Sequence, residues 1–81
     1  MTEGIVNEVV ASIDRFLSGA DTSRTLVNEI EGILLEHFTL EPWFDEASLA
    51  LAQYRPGGGE HLFNEHDLAQ VLREVRQDLV S

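Results

Sequence analysis

One stretch fixes the plan of the chain: Tyr54-Arg55-Pro56-Gly57-Gly58-Gly59-Glu60-His61-Leu62-Phe63-Asn64-Glu65-His66-Asp67-Leu68. Proline disfavours helical geometry at the residue before it, and glycine adopts positive φ freely, so no helix crosses this run. Asn64 then reads as an N-cap whose side-chain oxygen takes a free backbone N–H of the first turn. Asp67 three residues on completes a capping-box-like pair, and Phe63 before the cap is placed to pack on Leu68 as a hydrophobic staple. A final helix is predicted over about 65–79, with Leu68, Val71, Leu72, Val75 and Leu79 on one face. Arg73 and Arg76 lie toward its C-terminal end, where the helix dipole favours cations.

Three earlier segments repeat the one-face apolar pattern. In the first, over about 3–18, Val6, Val9, Val10, Ile13, Phe16 and Leu17 follow helical spacing, Thr2 is a candidate cap and Gly19 a candidate left-handed stop. β-branched residues are frequent there, but the spacing is not alternate and the segment is too long for an ordinary strand. In the second, over about 23–38, Asp21, Thr22 and Ser23 offer caps and Leu26, Val27, Ile30, Ile33, Leu34 and Phe38 form the face; Gly32 in its interior suggests the close approach of another helix. In the third, over about 42–54, Pro42 fits the first turn, where its missing N–H has no intrahelical partner. Asp45 and Glu46 follow where the dipole favours negative charge, and Leu40, Phe44, Ala47, Leu51 and Tyr54 make the inward stripe. Four such helices with short connections predict an all-α single domain over residues 1–81, an antiparallel up-down-up-down four-helix bundle.

Size and charge bound the function. At 81 residues the core supplies only about 3–5 kcal/mol of net stability, and no large catalytic cleft is expected. There is no cysteine, no apolar run long enough to span a bilayer and no basic leader, so the chain reads as cytoplasmic and unanchored, without disulfides or thiolate metal sites. Fifteen acidic side chains against five arginines give a net charge of −10. That balance disfavours nucleic acid or an anionic membrane as a ligand, and it reads either as a solubility device or as attraction for a basic protein. The strongest bias lies between Arg24 and Arg55, where Glu29, Glu31, Glu36, Glu41, Asp45 and Glu46 occur with no lysine or arginine. In the bundle one end collects Asp21, Glu60, Glu65 and Asp67, and the other Glu3, Glu36, Glu41, Asp45, Glu46 and the C-terminal carboxylate.

No catalytic constellation is legible. His61 and His66 beside Glu60, Glu65 and Asp67 lack the same-face i, i+4 spacing of helical zinc ligands, and read as loop and cap residues rather than a metal site. His37 beside Glu36 reads as a partner of its helix terminus. Arg55 to Gly59 lacks the Gly-Lys-Ser/Thr of a nucleotide-binding loop and reads as a reversing loop rather than an anion nest. The serines have no paired base, so the chain is expected to be neither an enzyme nor a cofactor carrier. Leu35, Trp43, Leu49 and Leu62 lie off or at the border of the stripes among acidic groups; Trp43 in particular reads either as core or as the anchor of a protein-binding patch.

Taken together, Ile13-Asp14-Arg15-Phe16-Leu17-Ser18-Gly19, Thr22 opening a helix with Glu29-Ile30, Ala52-Gln53-Tyr54-Arg55-Pro56, and then Leu68 and Val71-Leu72-Arg73-Glu74-Val75 resemble the colicin D immunity proteins. These are small four-helix inhibitors that block the active site of a tRNA-cleaving bacterial toxin. The resemblance implies an acidic surface standing in for tRNA phosphates over a basic cleft. The family's loop after its aromatic-x-Pro element carries acidic residues, whereas here Arg55 and three glycines precede Glu60. The Tyr-Arg-Pro-Gly-Gly-Gly-Glu loop also looks like one found in small bacterial proteins of unassigned role. The expected contacts are Glu60, Glu65 and Asp67 near that loop, with Glu41, Asp45, Glu46 and Trp43 as a competing patch; the alternative is a self-associating structural protein or subunit.

Overall fold

The computed structural model describes residues 2–60 and 62–80, and only the backbone at Thr2 and Glu3. The expected Thr2 cap, the Glu3 and C-terminal carboxylates and the His61 half of the histidine pair therefore lie outside the described residues. Four helices follow in order: α1 (Thr2–Leu17), α2 (Arg24–His37), α3 (Phe44–Gln53) and α4 (Glu65–Val80). Each packs on its neighbour in sequence, and α4 closes the ring on α1, as an up-down-up-down bundle requires. The body measures 38 × 25 × 20 Å. Among the described residues there is no strand, and no helix is long and apolar enough to cross a membrane.

The helical spacing becomes the core. Val9, Ile13 and Phe16 from α1, Leu26, Val27, Ile30 and Leu34 from α2 with Phe38 beyond it, Ala47, Ala50 and Leu51 from α3 with Tyr54, and Leu68, Leu72 and Val75 from α4 are buried together. Each large side chain among them contributes about 1.5–3 kcal/mol relative to exposure. Phe16 meets Tyr54 edge to face at 5.4 Å, joining α1 to the end of α3. Leu35 and Leu49 lie off these stripes and are exposed.

The caps are local chemistry. Gly19 sits at φ 81°, past the end of α1, where a side chain would be strained. Of the three candidates before α2, Ser23 is the cap: its Oγ accepts from the Leu26 N–H at 3.2 Å. At α4 the capping box is reciprocal, with Asn64 Oδ1 accepting from the Asp67 N–H at 2.9 Å and Asp67 Oδ2 from the Asn64 N–H at 3.2 Å. Phe63 before it packs against the core of which Leu68 is part.

Three expectations need correction. Pro42 lies ahead of α3 instead of in its first turn: the Phe44 N–H donates to the Glu41 carbonyl at 3.0 Å, so Pro42 and Trp43 are the middle of a turn. Leu40 consequently leaves the inward stripe and stands 98% exposed at the tip of the α2–α3 connection. Its spacing from Phe44 matches the stripe, but the turns from Phe38 to Phe44 re-aim the chain. Gly32 admits no neighbouring helix; a Cβ built there meets nothing within 4 Å.

Candidate functional site

The two ends of the bundle treat their carboxylates differently. At the end shared by the α1–α2 and α3–α4 connections, the acids hold backbone. Asp21 accepts from the Ser23 N–H at 2.9 Å and from Arg15 at 3.2 Å. The hydrogen bonds from Ser23, assisted by the Arg15 charge, keep its carboxyl below the usual 3.8. Glu65 receives the Gly57 N–H on both oxygens, at 3.0 and 3.2 Å, and Asp67 is committed to the capping box. Glu60 is exposed.

The loop that carries them is built to reverse. The Gly58 N–H donates to the Arg55 carbonyl at 2.8 Å, and Gly57 in the third position has φ 83°, the conformation of a type II turn with proline second. Phe63 N–H to Gln53 carbonyl and Arg55 N–H to Phe63 carbonyl, both 3.0 Å, close the loop at its base. The anion nest weighed for these glycines is thus engaged in part by the chain's own Glu65. His66 has its Nε2 3.2 Å from the Gln70 amide nitrogen. Among the described residues no group of three or more potential ligands is arranged to hold a metal ion.

The opposite end is different. Trp43 is half-buried at the start of α3, 6.0 Å from the Phe38 ring, and floors a groove between α3 and α4 with Ala47, Val71 and Val75. Glu46, Glu74 and Asp78 rim it. An adjoining hollow is bounded by Glu41, Pro42, Trp43 and Asp78, so four carboxylates surround one indole, and among the described residues no basic side chain lines either space. Asp45 lies alongside in the first turn of α3, exposed. The Glu41, Asp45, Glu46 and Glu74 side chains make no hydrogen bond or ion pair among the described residues. For Asp45 and Glu46 the dipole of α3 gives a structural reason to be acidic. For Glu74 and Asp78 it gives none: they stand i, i+4 near the C-terminal end of α4, where like charges cost about 0.2–0.5 kcal/mol.

A second acidic groove runs between α1 and α2, lined by Glu8, Ser12, Glu29, Gly32, Ile33 and Glu36, and has no aromatic floor. The sequence-predicted residues therefore fall at two separate places: Glu41, Glu46 and Trp43 come together around one groove with Asp45 alongside, while Glu60, Glu65 and Asp67 belong to the loop end. Sequence reasoning missed Glu74 and Asp78. The signal was available, as an acidic i, i+4 pair flanking the Val71 and Val75 stripe. Comparison of the chain with protein-family models, with curated proteins and with solved structures finds no significant match.

Proposed function

We propose that this chain is a non-enzymatic docking module for a basic protein surface, used as an immunity-type inhibitor that covers the basic active site of a toxin nuclease. The docking reading is carried by one observation: the half-buried indole of Trp43 in a groove edged by Glu41, Glu46, Glu74 and Asp78, of which Glu41, Glu46 and Glu74 have no internal partner among the described residues. An aromatic anchor within a charged rim is the usual composition of a binding hot spot. The net charge of −10 steers a basic partner and repels nucleic acid and anionic membrane. The inhibitor part rests on the sequence resemblance alone.

Glu65 and Asp67 enter this reading as supports. Each already holds a backbone N–H of the loop or the cap, so a partner cation competes for the acceptor positions that remain on a carboxylate whose place is fixed by the fold. The contact is therefore assigned first to Trp43, Glu41, Glu46 and Asp45, and second to Glu60 with Glu65 and Asp67. The test is a colicin D-type tRNA-cleaving domain titrated with this protein, following tRNA cleavage and, by calorimetry, binding at low and high salt. Stoichiometric inhibition that weakens with salt and with E46K/E74K is expected. Cleavage that continues in excess protein removes the inhibitor part. A panel of basic proteins whose binding ignores charge reversal at both ends removes the docking reading itself.

A second reading, self-association, is favoured by the exposure of Leu35, Leu40 and Leu49. Sedimentation at micromolar concentration separates the two, since a clean monomer leaves no role for those leucines as a subunit contact.

A further inference from the structure

Resting on the docking reading, we infer that the groove between α3 and α4 receives an arginine side chain of the basic partner, its guanidinium stacked on the Trp43 indole and paired with the Glu46 and Glu74 carboxylates. Three features of the groove select that occupant. Its floor is apolar, made by Ala47, Val71, Val75 and the indole, so it favours a group that sheds water readily. The guanidinium is weakly hydrated and planar, whereas an ammonium is compact and strongly hydrated. Its rim carries negative charge on both walls, Glu46 from α3 and Glu74 from α4, so that a flat cation lying between them meets acceptors at both edges. Among the described residues Trp43, finally, makes no side-chain hydrogen bond and no unpaired polar side-chain atom is buried, so its indole nitrogen is open to solvent. Tryptophan is the strongest cation–π partner among the aromatic residues.

The second acidic groove isolates what is particular here. It presents Glu8, Glu29 and Glu36 over Ile33 and Gly32, carboxylates with no π face. Charge alone draws lysine and arginine equally to it, whereas the Trp43 groove discriminates between them.

The chain has one tryptophan, so its indole N–H resonance and its fluorescence each report on this groove alone. The experiment titrates the full chain with three acetylated and amidated peptides of alternating glycine with arginine, lysine or citrulline. The arginine peptide is expected to move the indole N–H and the amides of Ala47, Val71 and Val75, and to bind about threefold or more tighter than the lysine peptide. The citrulline peptide, flat but neutral, should leave the indole unmoved. E46Q/E74Q should weaken arginine binding by roughly threefold or more, while E29Q/E36Q should not. W43L should erase the preference for arginine, and if that variant fails to fold the two surface double variants still decide the matter. Equal binding of arginine and lysine with the indole resonance stationary overturns the inference but leaves the docking reading standing if a basic protein still binds in a salt-sensitive way. Concentration-dependent shifts of the indole without any peptide would put a second copy of the chain in the groove and overturn it as well. Loss of all basic-protein binding removes both.

Discussion

The Tyr54 hydroxyl donates to the Thr22 carbonyl oxygen at 2.5 Å, tying the end of α3 to the connection before α2 across 32 positions of sequence. Tyr54 has no solvent-accessible surface and packs on Phe16, so this one side chain bonds one inter-helix connection and fills the core beneath it. Burial, and the nearby Glu65 charge, raise its pKa above the usual 10.0. The raised value fixes the sign of the pH effect: the neutral phenol is favoured in the folded state, so its contribution is complete below pH 10.0 and is lost as pH rises through the folded value. Y54F should lower stability at neutral pH by about 1 kcal/mol, the net worth of a hydrogen bond, and should flatten the alkaline limb. Urea melts at neutral pH and above pH 10.0 check both halves; a Y54F curve parallel to wild type throughout would contradict the assignment.

Arg24 makes a second tie at the same end. Its guanidinium donates to the Leu51 carbonyl and, at 3.5 Å, to the Tyr54 carbonyl, supplying donors at the end of α3, where the Leu51 carbonyl otherwise receives only a long 3.4 Å bond from the Tyr54 N–H. The charge also meets the negative end of the α3 dipole. R24A should cost about 2 kcal/mol, as hydrogen bonds to charged donors do, and R24K should recover part of it. In thermal melts about 1 kcal/mol corresponds to roughly 4–8 °C for a chain of this size, so the series is resolvable.

How far these features were legible follows from their range. The four helices, the Ser23 cap among its neighbours, the Gly19 stop and the Asn64–Asp67 box were readable because each depends on residues within one or two turns of each other. Leu40 was misplaced because helical spacing continues through it, while the turns from Phe38 to Phe44 depend on backbone bonds that spacing does not encode. The Arg24 tie spans 27 positions and leaves no local signature. At the binding surface the acids of α3 were visible as a charge bias, but their meeting with Glu74 and Asp78 is set by the packing of α4 against α3.

The glycine loop yields a contrast between two adjacent residues. Gly57 and Gly58 both have positive φ, 83° and 75°. A Cβ on Gly57 meets nothing within 4 Å, while one on Gly58 falls 2.8 Å from the Asn64 Cβ. G57A should therefore cost about 1 kcal/mol, the strain of a left-handed alanine. G58A adds a steric clash at the cap of α4 and should cost clearly more, with hydrogen exchange accelerating in the first turn of that helix. Equal destabilisation would mean that the loop slides away from Asn64 without consequence.

Asp21 contributes on the acid side. Its folded value lies below 3.8 because Ser23 hydrogen bonds and then Arg15 favour the carboxylate, so its stabilisation is present above pH 3.8 and disappears as pH falls through the lower folded value. D21A should melt earlier than wild type at pH 7, and the two curves should converge below pH 3.8. A gap that persists undiminished in acid would assign the effect to packing instead of charge.

The Trp43 groove predicts a conflict between stability and binding. Glu74 and Asp78 are like charges four residues apart on α4, beside the same groove. E74Q removes that repulsion and should raise stability by about 0.2–0.5 kcal/mol. The same change takes one acceptor from the rim and should weaken salt-sensitive binding of a basic protein, mostly through a faster off-rate if the carboxylate is desolvated in the complex. E29Q on α2 serves as the control, since it lies in the groove without an aromatic floor. Urea melts and surface-plasmon kinetics on the same three proteins test the pairing of opposite signs. An E74Q protein that is more stable and binds as well as wild type would mean that this carboxylate pair is held for something other than docking.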